Sequence, residues 1–178
     1  QHNFGVSSFS QFLRAEMIAE KYDFSKDTLD RYAFATTQKA ITAINAGYFD
    51  NEILPLQERI KDMPPSDQLH AIDEGVRFNA SLEAINGLKV LQDGGRLTAG
   101  TASQICDGAS GVMVVNAAGL KALGVEPLAR IHHMSVIGHD PVIMLEAPIP
   151  ATERALKMAG MGIDDIDLFE VNEAFASV

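Results

Sequence analysis

Between Ser7 and Tyr22 apolar residues recur at Phe9, Phe12, Leu13, Met17, Ile18 and Ala19 with charged residues among them, the spacing of an amphipathic helix rather than of an alternating strand. A second helix is predicted to start at Ser25, whose hydroxyl suits an N-cap, with Asp27 in its first turn. Leu29, Ala33, Thr36, Ala40 and Ile44 mark one face of it, and Gly47 ends the run. The apolar stretch Glu52 to Leu56 contains Pro55, which confines it to a sheet edge. Gln57 to Ala71, with Met63-Pro64-Pro65-Ser66, reads as an irregular surface excursion.

The texture changes at Asp93. Asp93 to Ser103 is almost entirely small residues, which let backbone approach backbone or ligand closely. Asp107-Gly108-Ala109-Ser110-Gly111 follows, then the short apolar run Val112 to Val115, which predicts a buried strand. A helix over 117–123, a strand over 129–137, a proline-rich loop through Pro150, a helix over 151–159 stopped by Gly160 and a strand over 167–171 complete the pattern. Strand alternating with helix in this way predicts an α/β fold with a layered sheet. There is no internal repeat and no low-complexity segment.

The chain has 178 residues, 47% of them hydrophobic, enough for a substantial core. Its 24 acidic and 14 basic side chains give a net charge of −10, the opposite of the footprint needed to bind a phosphate backbone, so nucleic acid is not an expected partner. A single cysteine, Cys106, cannot form an internal disulfide, and with no secretory leader in view the expected setting is reducing: the cytoplasm or an organellar matrix. No apolar run approaches the ~20 residues of a membrane span. The sequence begins at Gln1 and stops at Val178, inside an apparent strand-to-helix transition, which predicts a piece of a longer protein.

Several residues invite chemical readings. A lone cysteine is either a nucleophile or a small buried hydrophobe, and composition favours the second for Cys106. His132 and His133 are adjacent, so on a strand they face opposite ways and cannot share a metal. His139, in Gly138-His139-Asp140-Pro141, has no evident partner and reads as a solvated turn residue. Asp73 to Arg77 reads as a solvated corner with a local ion pair, and Asn172 as an N-cap. Asn79-Ala80-Ser81 matches a glycosylation acceptor by chance. Neither a Gly-x-Gly-x-x-Gly nor a Gly-Lys-Ser/Thr phosphate loop is present.

Taken in order, six segments carry a resemblance. They are Ala15 to Tyr22, Ala46 to Ile53, Asp73-Glu74-Gly75-Val76-Arg77, Leu97-Thr98-Ala99-Gly100-Thr101-Ala102-Ser103, Cys106-Asp107-Gly108-Ala109, and Val171-Asn172-Glu173-Ala174-Phe175-Ala176. This succession resembles the thiolases, the acyl-CoA C-acyltransferases, over essentially the whole chain. The resemblance implies a layered αβαβα fold, here incomplete, with part of an inserted loop domain that receives coenzyme A. By the same resemblance residues 1–105 belong to the inserted domain, 106–126 end the N-terminal half, and 127–178 begin the C-terminal half. It places the nucleophilic cysteine upstream of Gln1, and the Gly-His-Pro histidine and second reactive cysteine downstream of Val178.

The activity so implied is cleavage of a 3-ketoacyl-CoA by coenzyme A, or the reverse Claisen condensation. Coenzyme A and acyl-CoA are substrates, and no resident cofactor or metal is implied. Asn172 matches the asparagine that orients a water in an oxyanion hole. Ser103 matches the serine bonded to the pantetheine arm, Ala99 the small residue beside it, and Arg77 an arginine near the nucleotide. Met144 and Phe175 match apolar residues beside the acyl thioester. Cys106 and His139 inherit no catalytic role. Ser10-Gln11-Phe12 stands where short-chain biosynthetic relatives have His-Met-Gly, which points to a longer or bulkier acyl group. Family members are dimers or tetramers, so a homo-oligomer is expected. The alternative is a non-catalytic acyl-CoA binding or lipid carrier protein of the same fold.

Overall fold

The computed structural model describes residues 2–59 and 61–178; Ile60, within the predicted surface excursion, lies outside the described residues. Two compact units emerge, one of Gln1–Ile18, Ile105–Asn172 and Val178, the other of Ala19–Gln104 and Glu173–Ser177.

Helix α1 spans Gln11–Lys21. Its buried residues are Arg14, Ala15, Glu16, Ile18 and Ala19, whereas Phe9, Phe12 and Leu13, expected to lead the apolar face, are exposed. Small side chains there allow close approach, and Arg14 is accommodated because its guanidinium donates to the Ser8 carbonyl at 2.7 Å.

In the second unit, α2 runs over Lys26–Asn45. Ser25 caps it as expected, its hydroxyl accepting from Thr28 N at 3.1 Å, and Gly47 leaves the helix with φ +71°. Asp27 accepts from Arg31 Nε at 2.7 Å, and that hydrogen bond and charge raise the pKa of the exposed guanidinium. Leu29, Asp30 and Ala33 form the buried stripe of α2. Asp30 is sustained there by Lys26 Nζ at 2.5 Å, and the same ammonium donates to the Asn86 carbonyl at 3.0 Å, tying α2 to the end of α3 (Leu82–Asn86). Helix α3 was not predicted. Its N-cap is Ser81, accepting from Ala84 N at 3.1 Å, so the serine of the Asn-Ala-Ser triplet has a structural use.

The proline-containing edge segment forms only the two-residue strand β1 (Leu56–Gln57), and the predicted excursion contributes its antiparallel partner β2 (Leu69–His70). In the first unit, α4 (Ala117–Leu123) falls where predicted and α5 (Pro148–Ala159) ends where predicted but begins three residues early, inside the expected proline-rich loop; Gly124 at φ +63° and Gly160 at φ +67° end them.

The strands predicted over 112–115, 129–137 and 167–171 are not formed. Val112, Val114, Met134, Val136 and Leu168 are largely exposed. A strand must exchange ladder hydrogen bonds with a neighbour, and among the described residues no strand lies beside these segments. Cys106, expected to be a buried hydrophobe, is exposed for the same reason, since its surroundings from Ser103 to Val115 carry no regular structure.

Candidate functional site

The small-residue segment folds into a turn built by two threonines. Thr98 N donates to Thr101 Oγ1 at 2.8 Å, and Thr101 Oγ1 donates back to the Thr98 carbonyl at 3.1 Å. Thr98 Oγ1 accepts from Gly100 N at 3.1 Å, so the hydroxyls occupy backbone groups that the tight turn leaves without a ladder. Leu97, Thr98 and Thr101 are all but fully buried. Gly100 packs closely on Ile85 and Leu88, and a Cβ added there would require the Leu88 side chain to move. Leu91 N donates to the Leu97 carbonyl at 2.8 Å and anchors the approach to the turn.

This turn meets the Asn-Glu-Ala-Phe-Ala segment. Ala102 and Phe175 form an antiparallel bridge, with Ser103 N donating to the Ala174 carbonyl and Ala176 N to the Thr101 carbonyl, both at 2.8 Å. Phe175 is buried against the same unit. The pairing engages the backbone of Ala174 and Ala176, and no helix follows Asn172, which is exposed and caps nothing; the N-cap reading is thereby corrected. Thr36 Oγ1, on α2, donates to Glu173 Oε2 at 2.9 Å and holds the start of the segment.

The acidic corner joins from another side. Asp73 Oδ1 accepts from Gly75 N at 2.7 Å, an Asx turn in place of the expected ion pair with Arg77. Gln104 Nε2 donates to the Gly75 carbonyl at 2.6 Å, fastening the corner to the residue after Ser103. Arg77, Ala99 and Ser103 present exposed side chains around this framework. Ser103 and Phe175 thus meet at one bridge, with Ala99 in the turn that leads into it and Arg77 two residues beyond the Gly75 carbonyl that Gln104 holds.

Met144 and Asn172 belong to the other unit. Met144 is half-buried in a tight turn at φ +31°, its N donating to the Asp140 carbonyl at 2.9 Å. His139, read as solvated and unpartnered, approaches the buried Glu146 with Nε2 3.6 Å from Oε2. His132 and His133 are exposed on a segment without strand structure. Among the described residues no group of three or more His, Cys, Asp and Glu is placed to hold a metal. A cleft lined by Arg59, Lys61, Asp62, Met63 and Pro65 includes none of the selected residues. The sequence pattern gives Thr36, Gln104 and Glu173 no partners. Thr36 had a signal, a hydroxyl at an otherwise apolar stripe position.

The chain matches the thiolase N-terminal domain over residues 9–118 and the thiolase C-terminal domain over residues 125–178. It belongs to the thiolase family, and its fold is an incomplete thiolase-like α/β fold. It is 46% identical over 177 residues to the steroid 3-ketoacyl-CoA thiolase FadA6 of Mycobacterium tuberculosis, covering 99% of this chain and 42% of that protein. It is 41% identical over 167 residues to the 3-ketoacyl-CoA thiolase of Aliivibrio fischeri, covering 93% of this chain and 43% of that protein. Among solved structures it resembles an acetyl-CoA acetyltransferase of Bacillus anthracis, with TM-score 0.85 and 32% identity over 97% of this chain and 43% of that one. Human mitochondrial 3-ketoacyl-CoA thiolase in complex with CoA gives TM-score 0.80 and 37% identity over 92% of this chain and 40% of that one. The chain therefore spans less than half the length of these relatives.

Proposed function

We propose that the full-length protein is an acyltransferase that cleaves 3-ketoacyl-CoA with coenzyme A to acetyl-CoA and a shortened acyl-CoA, or runs the reverse condensation. The observation that carries this reading is the bridge between Ala102 and Phe175, which places the Thr-Ala-Gly-Thr-Ala-Ser turn against the Asn-Glu-Ala-Phe-Ala segment. The relatives named as 3-ketoacyl-CoA thiolases, and the neighbour solved with CoA, support the same chemistry.

In this reading Ser103 bonds the pantetheine arm, Ala99 leaves room beside it, and Arg77 offers a counter-charge to the nucleotide end. Phe175 and Met144 are each read, from the resemblance alone, as an apolar residue for the acyl thioester. A cysteine supplied by the rest of the protein attacks the 3-keto carbon. The carbon–carbon bond then breaks to leave an acyl-enzyme and the enolate of acetyl-CoA, which takes up a proton. The thiol of a second coenzyme A displaces the acyl group and restores the cysteine. Each step develops negative charge on a carbonyl oxygen, which preorganised donors stabilise, and Asn172 orients a water for one such site. An amide donates without bringing a charge of its own.

Coenzyme A acts as a substrate, with no resident metal or cofactor. Residues 1–105 serve as the inserted coenzyme A-binding domain, 106–126 as the end of the N-terminal half and 127–178 as the start of the C-terminal half, in a homodimer or homotetramer. Among the described residues no helix is long and apolar enough to cross a membrane, and the ligands proposed are water-soluble thioesters.

The test is thiolysis by the full-length protein, with products identified by mass. Because Ser10-Gln11-Phe12 replaces the short-chain His-Met-Gly, rates are expected to be higher with a long or bulky 3-ketoacyl-CoA than with acetoacetyl-CoA. Rates highest with acetoacetyl-CoA and falling with chain length would contradict that specificity. Tight acyl-CoA binding without turnover would establish the carrier alternative.

A further inference from the structure

We propose that Thr36 is a positioning residue for the coenzyme A site, acting through Glu173. Thr36 lies in the interior of α2, on the face that buries Leu29 and Ala33. That face is fixed by the core, so the Thr36 hydroxyl has a rigid base. It donates to Glu173 Oε2 at 2.9 Å across 137 residues of sequence. Glu173 opens the short segment Glu173–Ser177 that returns to this unit. The next residue, Ala174, offers the carbonyl that accepts from Ser103 N, and Phe175 is buried one residue further on. Anchoring Glu173 therefore limits the play of the backbone against which Ser103 and Phe175 are registered.

The packing of Phe175 and the hydrogen bonds through Ala174 and Ala176 hold the segment on the unit independently of this tether. The tether adds alignment at its entry, where Phe175 cannot act because its ring is buried beyond that point. Losing alignment of this kind weakens ligand binding while leaving the fold in place. Neither Thr36 nor Glu173 is assigned contact with substrate. The inference rests on the reading that Ser103 binds coenzyme A.

The experiment uses the full-length protein and its Thr36→Val, Thr36→Ser and Glu173→Ala variants, measuring Kd for coenzyme A by calorimetry and KM and kcat by thiolysis. Thr36→Val, which keeps shape and removes the hydroxyl, is expected to raise both Kd and KM about three- to tenfold, the worth of one net hydrogen bond. Its kcat and melting temperature are expected to stay close to wild type. Thr36→Ser is expected to restore Kd, and Glu173→Ala combined with Thr36→Val to do no more than either alone. An unchanged Kd in Thr36→Val, or a Thr36→Ser defect as large as that of Thr36→Val, would overturn the proposal. If Thr36→Val fails to fold, the comparison of Thr36→Ser with Glu173→Ala decides it: only the second should weaken binding. A wild-type protein that binds coenzyme A without turnover defeats the enzymatic reading and leaves this test intact, whereas one that does not bind it at all defeats both.

Discussion

Thr98 and Thr101 show how single hydroxyls replace secondary structure at the site. Their side chains occupy the backbone groups of a buried turn, so removing one leaves a desolvated N–H without a partner. Thr101→Val in the full-length protein is expected to lower its unfolding free energy by about 1–3 kcal/mol, with Thr101→Ser recovering most of the loss, as read by chemical denaturation. An unchanged stability in Thr101→Val would show that the turn is held by packing alone. At this scale sequence reading was uneven. It found the small residues and attached Ser103, Ala99, Arg77 and Phe175 to one ligand through their resemblance to a family pattern. It could not find the partners, because Thr36 and Glu173, or Gln104 and Gly75, meet only when distant segments come together. The histidine of Gly138-His139-Asp140-Pro141 is a like case: its carboxylate neighbour, Glu146, lies beyond a turn whose φ at Met144 no pattern announces.

Elements set by local signals were legible. Helices α2, α4 and α5 carry Ser25, Asn116 and Gly160 at their boundaries, and these act over one turn of chain. Replacing Ser25 or Ser81 by Ala is expected to cost about 1 kcal/mol each, the usual worth of an N-cap, and the two losses should add in thermal unfolding. A loss at Ser81 well above that at Ser25 would show that α3, only five residues long, depends on its cap for existence. Strands were misread for a different reason. The apolar runs at 112–115, 129–137 and 167–171 have strand composition, but pairing is a property of two segments, and among the described residues no strand lies beside them. The apolar face read for α1 is right at Ile18 and Ala19, which are buried, and wrong at Phe12 and Leu13, which are exposed where the core takes the compact Ala15 instead.

For the molecule as a whole, acidity and fold point in one direction. This chain's net charge of −10 gives a polyanionic ligand no general attraction, so in the proposed reading recognition of a nucleotide-bearing thioester falls to local groups such as Arg77. The proposed coenzyme A contacts Ser103 and Arg77 lie in one unit and the proposed oxyanion residue Asn172 in the other. Binding and chemistry should therefore separate by mutation. The most direct measurement is the kcat and KM of thiolysis for the full-length protein carrying Asn172→Ala, set beside Ser103→Ala. Asn172→Ala is expected to lower kcat on the order of 10²–10³-fold with KM for coenzyme A nearly unchanged, and Ser103→Ala to raise that KM with a smaller effect on kcat. Turnover left intact by Asn172→Ala, in a protein that still binds coenzyme A, would contradict the assignment of this segment to the oxyanion site.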